Sequence, residues 1–209
     1  MITLHLFRHG ETEWHHENRY AGWSDVALTD RGREQASRLA QWAEHRPVDL
    51  VVTSDLSRAV ETGLTAARAA NAPHRVDERL REVNFGRGEG RTRDEMRAIF
   101  PDELEAFLAA PASSPLPGGE NGADASARGL AAIAELAASA GDGASVVIVA
   151  HSTLIRLVLC RLLGLPIDDY RRRFPELGNV AVTTVRIPPD TDAAALPGTA
   201  QLLCYNAPL

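Results

Sequence analysis

Three short apolar runs divide the chain, and segments of helical character follow them. The runs cover residues 2–7, 49–53 and 145–150. A continuous apolar run is typical of a strand buried on both faces of a parallel sheet. Helices are expected over residues 30–44, 56–70, 123–140 and 153–163. Strands that alternate with helices predict an α/β fold, a three-layer sandwich in which helices flank a mostly parallel central sheet.

Capping residues and turn formers define the ends of several elements. Thr29 is a good N-cap for the first helix, and Gly164 with Pro166 stops the last of the four. Residues 11–27 are polar and aromatic without a period, which predicts a long ordered loop over the strand ends. Residues 180–187 and 201–205 are expected to form late strands that could pair at an edge of the sheet.

The middle of the chain has a less regular pattern. A weak strand is expected near Val76, and short helices over residues 92–99 and 102–109, before a loop rich in Pro, Gly and Ser at 111–122. This loop could mark a domain boundary. Because a further strand with helices on both sides follows it, we favour a single domain over residues 1–209, with an excursion over about residues 87–122 that caps the strand ends.

Composition and charge narrow the classes of function. The formal net charge of −6 argues against a general nucleic-acid binder, because binding the phosphate backbone requires a basic surface. All 22 basic residues are arginine. The absence of lysine excludes Schiff-base and pyridoxal chemistry and a phosphate-binding loop lysine.

The same composition predicts a water-soluble protein. With 44% hydrophobic residues, the chain has no run long enough to cross a bilayer, and its first residues lack the features of a signal peptide. We therefore expect a cytoplasmic location. The two cysteines, Cys160 and Cys204, are interpreted as buried apolar thiols rather than as a disulfide or a metal site.

Reactive side chains follow each of the three strands. His9 follows the first, Arg58 the second and His151 the third. The carboxyl ends of parallel strands meet at one edge of a sheet, so these side chains should converge there. Arg8 adds a guanidinium suited to phosphate oxygens, and Gly10 permits close approach of a ligand. A histidine nucleophile among such cations indicates phosphoryl transfer through a phosphohistidine.

The leaving oxygen must also receive a proton, and a partly buried carboxyl group could supply it. Glu82 is one candidate because Leu80 and Val83 lie beside it in the sequence. The alternatives are Glu78, Glu89 and Glu95. Spacing alone does not decide between them.

Six motifs, taken in order, resemble the histidine phosphatase superfamily, which includes the cofactor-dependent phosphoglycerate mutases and fructose-2,6-bisphosphatase. They lie between about Thr3 and Pro166, and the set is far more specific than RHG alone. The motifs are RHGET (8–12), ENRYAGWSDVALTDRG (17–32), SDLSRAVET (54–62), REVNFGRGEG (81–90), PGGEN (117–121) and VAHSTLIRL (149–157).

The resemblance implies roles for individual residues. His9 would be the phosphorylated nucleophile, and Glu82 would be the general acid and then the general base. The phosphoryl group would be bound by Arg8, Arg58 and His151. The substrate-binding residues implied by the resemblance are Arg8, His15, Gly22, Arg58, Glu82, His151 and Ser152. The resemblance implies a small-molecule phosphate ester as substrate, and we expect no metal and no other cofactor.

Three positions depart from the pattern of this family. His15 stands where an Asn is common, and it would add a titrating group to the site, so that activity would depend more steeply on acid pH. Ser152 replaces a Gly and Asn121 replaces a Ser. Neither change removes a catalytic group, but both leave the substrate preference open.

The resemblance leaves two enzymatic alternatives and one that is not enzymatic. The ENRYAGWSD segment resembles the mutases, which depend on 2,3-bisphosphoglycerate. Mutases also resemble one another in an inserted segment that carries a lysine and paired arginines, and residues 91–111 are too short for it. We therefore favour a metal-independent phosphomonoesterase over a mutase. A catalytically silent sensor of a phosphorylated ligand is the third possibility, and a homodimer through an edge strand is possible.

A metal site at the adjacent histidines is a weaker hypothesis. His15, His16 and Glu17 are consecutive, and neighbouring side chains of this kind seldom point at one ion. We interpret them as solvated loop residues.

Overall fold

The chain folds into six strands and seven α-helices, and the computed structural model describes all residues 1–209. The strands are β1 (Ile2–Arg8), β2 (Leu50–Thr53), β3 (His74–Val76), β4 (Ser145–Ala150), β5 (Val182–Ile187) and β6 (Gln201–Ala207). The helices are α1 (Asp30–Glu44), α2 (Ser57–Ala69), α3 (Arg93–Ile99), α4 (Pro101–Ala109), α5 (Gly122–Ala140), α6 (Ser152–Leu162) and α7 (Tyr170–Arg173).

The strands form one sheet in the order β3-β2-β4-β1-β5-β6. The pairs β1–β4, β2–β4 and β2–β3 are parallel, whereas β5 is antiparallel to both β1 and β6. All strands except β5 therefore run in one direction. The predicted mostly parallel sheet is confirmed, and so is the pairing of the two late strands at an edge.

Alternate residues of β4 divide between the two faces of the sheet. Val146 and Ile148 belong to the core under α5 and α6, and Val147 and Val149 belong to the core under α1 and α2. All residues of β4 are buried, which explains the continuous apolar run. Helices on both faces give the predicted three layers.

Close packing of a glycine brings α2 onto the sheet. A Cβ at Gly63 would lie 2.3 Å from Thr53 Cγ2, so a larger side chain would push α2 away. Since Arg58 lies in the first turn of α2, this packing also sets the position of its guanidinium above the strand ends.

Capping explains where the helices begin. Thr29 Oγ1 accepts a hydrogen bond from Gly32 N, and α1 spans the residues predicted for it. Asn121 Oδ1 accepts one from Ala123 N and caps α5 in the same way. The departure at Asn121 therefore has a structural role.

Several details differ from the prediction. The loop over 11–27 contains a 3₁₀ turn at Glu13–His15, and α7 was not predicted. Strand β5 begins two residues late because Val180 has a φ of +58°. Cys204 is only half-buried, in contrast to Cys160, because β6 is an edge strand.

The segment 87–122 contains α3 and α4. Its apolar side chains pack into the same core as one face of the sheet. Met96, Phe100, Leu104 and Phe107 are buried in the same apolar cluster as Ile148. The segment therefore has no separate core. No helix of the chain is long and apolar enough to cross a membrane.

Candidate active site

His9 lies directly after β1, where its ring is held in one tautomer. Its backbone N–H donates to Ala150 O at 3.0 Å, and the residue is 5% exposed. The ring Nδ1 lies 2.7 Å from Gly10 O. A carbonyl oxygen can only accept, so Nδ1 carries the proton and Nε2 keeps its lone pair. His9 Nε2 is therefore available as a nucleophile.

Burial keeps this imidazole neutral. The pKa of His9 lies well below its usual value, first because the ring is removed from water and then because His151, Arg58 and Arg8 surround it with cationic or basic groups. The neutral form is the nucleophilic one. At neutral pH the lone pair on Nε2 is thus free.

The backbone after His9 is fixed by contacts from three directions. Gly10 N donates to Thr62 Oγ1 at 3.1 Å, and Asn179 Nδ2 donates to His9 O at 2.8 Å. A Cβ at Gly10 would lie 2.5 Å from Gly32 O, at the start of α1. Gly10 is needed because the first turn of α1 packs against this backbone.

Arg58 is a buried cation that has no carboxylate partner. It is 1% exposed, and it donates from Nη1 to Ser24 O at 2.8 Å and from Nη2 to Gly22 O at 2.7 Å. Its Nε has no partner in the protein. Burial lowers the pKa of Arg58. The guanidinium is so weak an acid that Arg58 nevertheless stays charged at neutral pH.

Gly22 has a conformation that places its carbonyl against Arg58. Its φ is +46°, in the left-handed region, and a Cβ would lie 2.0 Å from Glu89 Oε1. Glu89 accepts hydrogen bonds from Trp23 N, Ser24 N and Phe85 N. Gly22 thus leaves room for the carboxylate that organises this loop.

Arg8 and His15 form a direct contact. Arg8 Nη1 donates to Leu177 O at 2.9 Å, and Nη2 lies 2.5 Å from His15 Nε2. A guanidinium only donates, so His15 Nε2 faces a donor; Nδ1 accepts from the Thr12 backbone N–H at 3.0 Å and lies 2.7 Å from Thr12 Oγ1. His15 is therefore neutral here, and it is not the solvated loop residue expected from the sequence.

Burial and Arg8 together lower the pKa of His15 to about 4. His15 therefore titrates below the range in which an ordinary histidine would affect activity. Burial likewise lowers the pKa of Arg8 to about 10, opposed by Glu82 and assisted by Arg156 and Arg58. Arg8 stays charged at neutral pH.

His151 closes the other side of His9. The two ring centroids are 5.1 Å apart, and His151 is fully buried at the N-cap position of α6. Neither of its ring nitrogens has a partner in the protein. Burial, and then Arg58, lowers its pKa well below the usual value. A buried nitrogen without a partner costs about 1–3 kcal/mol, which an oxygen of a bound anion would recover.

Glu82 faces the same cavity from the loop before Gly86. Its Oε1 accepts from Val83 N at 2.9 Å and Leu154 N at 2.8 Å, and its Oε2 accepts from Thr153 N at 2.9 Å. The first turn of α6 therefore positions this carboxylate. Oε2 accepts one hydrogen bond and retains capacity for a proton.

The other three candidate carboxylates do not line the cavity. Glu78 is exposed, Glu89 accepts backbone hydrogen bonds as described, and Glu95 pairs with Arg19 at 2.8 Å. The structure therefore separates the candidates that sequence spacing left open, and it brings Glu82 alone into the cavity that His9 lines.

One cavity of about 810 Å³ joins these side chains. Most of the predicted site residues line it directly, whereas His151 is fully buried next to His9 and is not part of the wall. The predicted residues in its wall are Arg8, His9, His15, Gly22, Arg58, Glu82 and Ser152. No group of three or more His, Cys, Asp or Glu side chains in the chain is arranged to hold a metal ion.

Known proteins resemble this chain in both sequence and fold. A family model described as the histidine phosphatase superfamily (branch 1) matches residues 4–197. The chain belongs to the histidine phosphatase superfamily. YhfR of Bacillus stearothermophilus, a solved structure, superimposes on this histidine phosphatase with a TM-score of 0.88 at 31% identity, covering 100% of this chain and 98% of that one.

The names of relatives of this histidine phosphatase fall in two classes, phosphatases and mutases. A glucosyl-3-phosphoglycerate phosphatase of Mycolicibacterium vanbaalenii is 35% identical over 93% of this chain and 88% of its own length. Phosphoserine phosphatase 1 of Hydrogenobacter thermophilus is 30% identical, over 81% and 80%. A probable phosphoglycerate mutase of Erwinia tasmaniensis is 31% identical, over 82% and 80%. The family resemblance and the enzyme class predicted from the motifs are confirmed.

Sequence reasoning missed several residues of the histidine phosphatase site. Arg128 of α5 donates to Glu82 O at 2.8 Å and to Arg81 O at 2.7 Å, which fixes the loop that carries Glu82. Asn179 and Thr62 hold the backbone around His9. These contacts join residues far apart in the chain, so no local sequence motif predicts them.

Three arginines in the cavity wall were also missed. They are Arg19 in the loop before α1, Arg156 of α6 and Arg171 of α7. Arg156 lies within the VAHSTLIRL motif, and Arg171 begins a run of three arginines, which were the available signals. Asn121, by contrast, does not line the cavity.

Proposed function

We propose that this histidine phosphatase hydrolyses a small phosphorylated metabolite through a phosphohistidine on His9, without a metal ion. One observation carries the proposal: a neutral histidine with a free Nε2 lies among the half-buried Arg8, the buried Arg58 and a second buried histidine, none of which has a carboxylate partner. Arg8, Arg58 and His151 supply donors around the transferred group, which is where phosphoryl transfer needs them.

In the first step, His9 Nε2 attacks phosphorus. A nitrogen–phosphorus bond forms and the bond between phosphorus and the ester oxygen breaks, with its electron pair leaving on that oxygen. Glu82, protonated at Oε2, delivers its proton to the leaving oxygen. The alcohol is released and the phosphoryl group remains on His9.

In the second step, water attacks the phosphohistidine. Glu82 accepts a proton from the water as the new phosphorus–oxygen bond forms and the nitrogen–phosphorus bond breaks. Inorganic phosphate is released, His9 returns to its neutral form and Glu82 is protonated again. Both steps place charge on the phosphoryl oxygens, which Arg8 and Arg58 stabilise.

The mutase alternative is supported by the resemblance of the ENRYAGWSD segment to the mutases and by the relative described as a probable phosphoglycerate mutase. Hydrolysis is favoured because the chain has no lysine and because residues 91–111 hold only the two short helices α3 and α4. A coupled assay with and without 2,3-bisphosphoglycerate distinguishes the reactions, since only the mutase depends on that compound.

Several finer expectations stay predictions. They are the single domain over residues 1–209 with residues 87–122 as a cap, a cytoplasmic location, the absence of nucleic-acid partners and a homodimer through an edge strand. Substrates of the kind named for the phosphatase relatives, phosphorylated small acids and sugar acids, are the first to test.

The direct test is phosphate release by the purified protein from a panel of phosphomonoesters. We expect turnover that survives EDTA and falls by about 10⁴-fold or more in His9→Ala, because the nucleophile is lost. Full turnover in His9→Ala, or loss of turnover on chelation, would contradict the proposal. If the folded wild-type protein neither released phosphate nor became phosphorylated, the catalytically silent sensor would be favoured.

A further inference from the structure

The cavity extends well beyond the phosphoryl site. At about 810 Å³ it falls in the range of cavities that hold a complete small-molecule ligand. Its far wall is formed by α6 and α7, which contribute Arg156, Tyr170 and Arg171. Together with residues 17–22 and 92–94, this wall is available to the part of a substrate that remains outside the phosphoryl site.

Arg156 lies one helical turn beyond Ser152 on α6, about 6 Å along the helix axis. Its Nε donates to Ser152 O at 3.0 Å, and its guanidinium carbon lies 4.9 Å above the Tyr170 ring. Nη1 makes a long hydrogen bond of 3.3 Å to Phe174 O, and Nη2 has none. The group is therefore held in place with donor capacity left for a ligand.

Arg171 is held by two aromatic rings. Its guanidinium carbon lies 4.6 Å from the centre of the Phe107 ring and 5.4 Å from that of Tyr170. Its Nε donates to Tyr170 Oη at 3.0 Å, and neither Nη atom has a partner in the protein. A planar guanidinium fixed in this way presents two adjacent donors, which suit the two oxygens of an acidic group.

The carboxylates of the cavity wall do not neutralise these arginines. Glu17 pairs with Arg19 at 2.7 Å, and Asp94 pairs with Arg97 at 3.0 Å. Glu82 accepts its hydrogen bonds from backbone N–H groups. Arg156 and Arg171 have no ion-pair partner, although the chain as a whole carries a charge of −6.

We propose that Arg156 and Arg171 form a second anion subsite, so that the preferred substrate is a phosphomonoester with a further acidic group a few bonds from the ester. This group is a carboxylate or a second phosphate, and both present oxygens to a guanidinium fork. The inference rests on the proposed function, because it assigns the transferred phosphoryl group to His9.

Matched substrate pairs test the subsite. 3-Phosphoglycerate and glycerol 3-phosphate differ only in a carboxylate against a CH₂OH group, and fructose 1,6-bisphosphate and fructose 6-phosphate differ in a second phosphate. For wild type, we expect kcat/KM to favour the more acidic member of at least one pair by on the order of tenfold to a hundredfold, as a hydrogen-bonded ionic contact would give. The pair that shows it identifies the acidic group.

Arg171→Met and Arg156→Met should reduce that preference about tenfold or more, mainly through KM for the acidic substrate. Arg172→Met is the matched control: it removes the same charge from the same helix, but Arg172 is exposed and pairs with Asp169. We expect its preference ratio to equal that of wild type. Thermal melting of all three variants shows whether they fold.

Three results would overturn the subsite. They are a wild-type ratio near one for both pairs, an unchanged ratio in both Arg171→Met and Arg156→Met, or an equal decrease in Arg172→Met. If Arg171→Met fails to fold, Arg156→Met alone decides. In each of these cases phosphate is still released from glycerol 3-phosphate and fructose 6-phosphate. If the proposed function were wrong, none of the four esters would release phosphate.

Discussion

The two ends of the cavity are built in different ways. At the phosphoryl end, His9 and His151 directly follow strand ends, and Arg58 lies in the first turn of α2, shortly after β2. All three are almost fully buried, and backbone carbonyls hold the side chains of His9 and Arg58. At the far end, Arg156 and Arg171 are half-buried side chains of helices, held on aromatic rings. The first arrangement suits chemistry that tolerates little displacement. The second arrangement suits selection among substrates.

Substitutions at the two ends of the cavity should therefore have different effects. Changes at the phosphoryl end should reduce turnover of every substrate, whereas changes at the far end should alter the ratio between substrates.

Glu82→Gln should reduce kcat for alkyl phosphates by about 10²–10⁴-fold, because the variant cannot deliver a proton to the leaving oxygen. The loss should be much smaller for p-nitrophenyl phosphate, whose leaving group needs no proton. Steady-state kinetics on both substrates measure the difference. Glu78→Gln, which changes an exposed carboxylate four residues earlier, is the control and should behave as wild type. Equal losses on both substrates would contradict the role of Glu82 as an acid.

Gly22→Ala should lower both stability and activity. The new Cβ would meet Glu89 Oε1 and would displace the carbonyl that holds Arg58, so we expect about a tenfold loss of kcat/KM for every substrate. The strained backbone should cost about 1–3 kcal/mol in the free energy of unfolding.

Gly118→Ala is the matched control for this substitution. Gly118 has a φ of +71°, but no atom lies within 4 Å of a Cβ there. The control should lose stability without losing activity. If Gly22→Ala retained full activity, the contact between Gly22 and Arg58 would not matter for catalysis.

His15→Asn should have the smallest effect on activity. The shorter Asn loses the hydrogen bond that Arg8 now donates to His15 Nε2, but it is neutral like His15 and Arg8 keeps its hydrogen bond to Leu177 O, so we expect kcat/KM at pH 7 within about threefold of wild type. A larger decrease would show that the imidazole has a role beyond that hydrogen bond.

The same variant should change how stability depends on pH. The pKa of His15 is about 4 in the folded protein and about 6.5 in the unfolded chain. Between these values the unfolded chain binds a proton that the folded protein does not, so the free energy of unfolding decreases as the pH falls from 6.5 to 4. In His15→Asn this decrease should be smaller. Urea unfolding at pH 7 and pH 4.5 measures it, and identical slopes for the two proteins would contradict the low pKa.

The phosphoryl end could be predicted from the sequence because its information is local. Apolar runs such as SVVIVA mark buried strands; His9 and His151 follow such runs directly, and Arg58 follows one a few residues later. The bounds of α1 were predicted because Thr29 caps it. Glu82 could not be selected in this way, because the residues around it resemble those around other glutamates. Two of the backbone N–H groups that position its carboxylate belong to α6, more than 70 residues later.

The far end could not be predicted, for a physical reason. Arg171 gains its position from Phe107 on α4, which is distant in sequence, and the four-residue helix α7 has no apolar period to reveal it. His15 was misjudged in the same way, because its burial depends on the contact with Arg8. Side chains whose surroundings come from other elements need the three-dimensional structure.

The central claim is that His9 carries the phosphoryl group during turnover. It is tested most directly by mixing the protein with a ³²P-labelled substrate, quenching in alkali and mapping the labelled peptide. The account predicts acid-labile, alkali-stable phosphate on the peptide that contains His9, with none in His9→Ala. Steady turnover with no label on the protein at any quench time would contradict it.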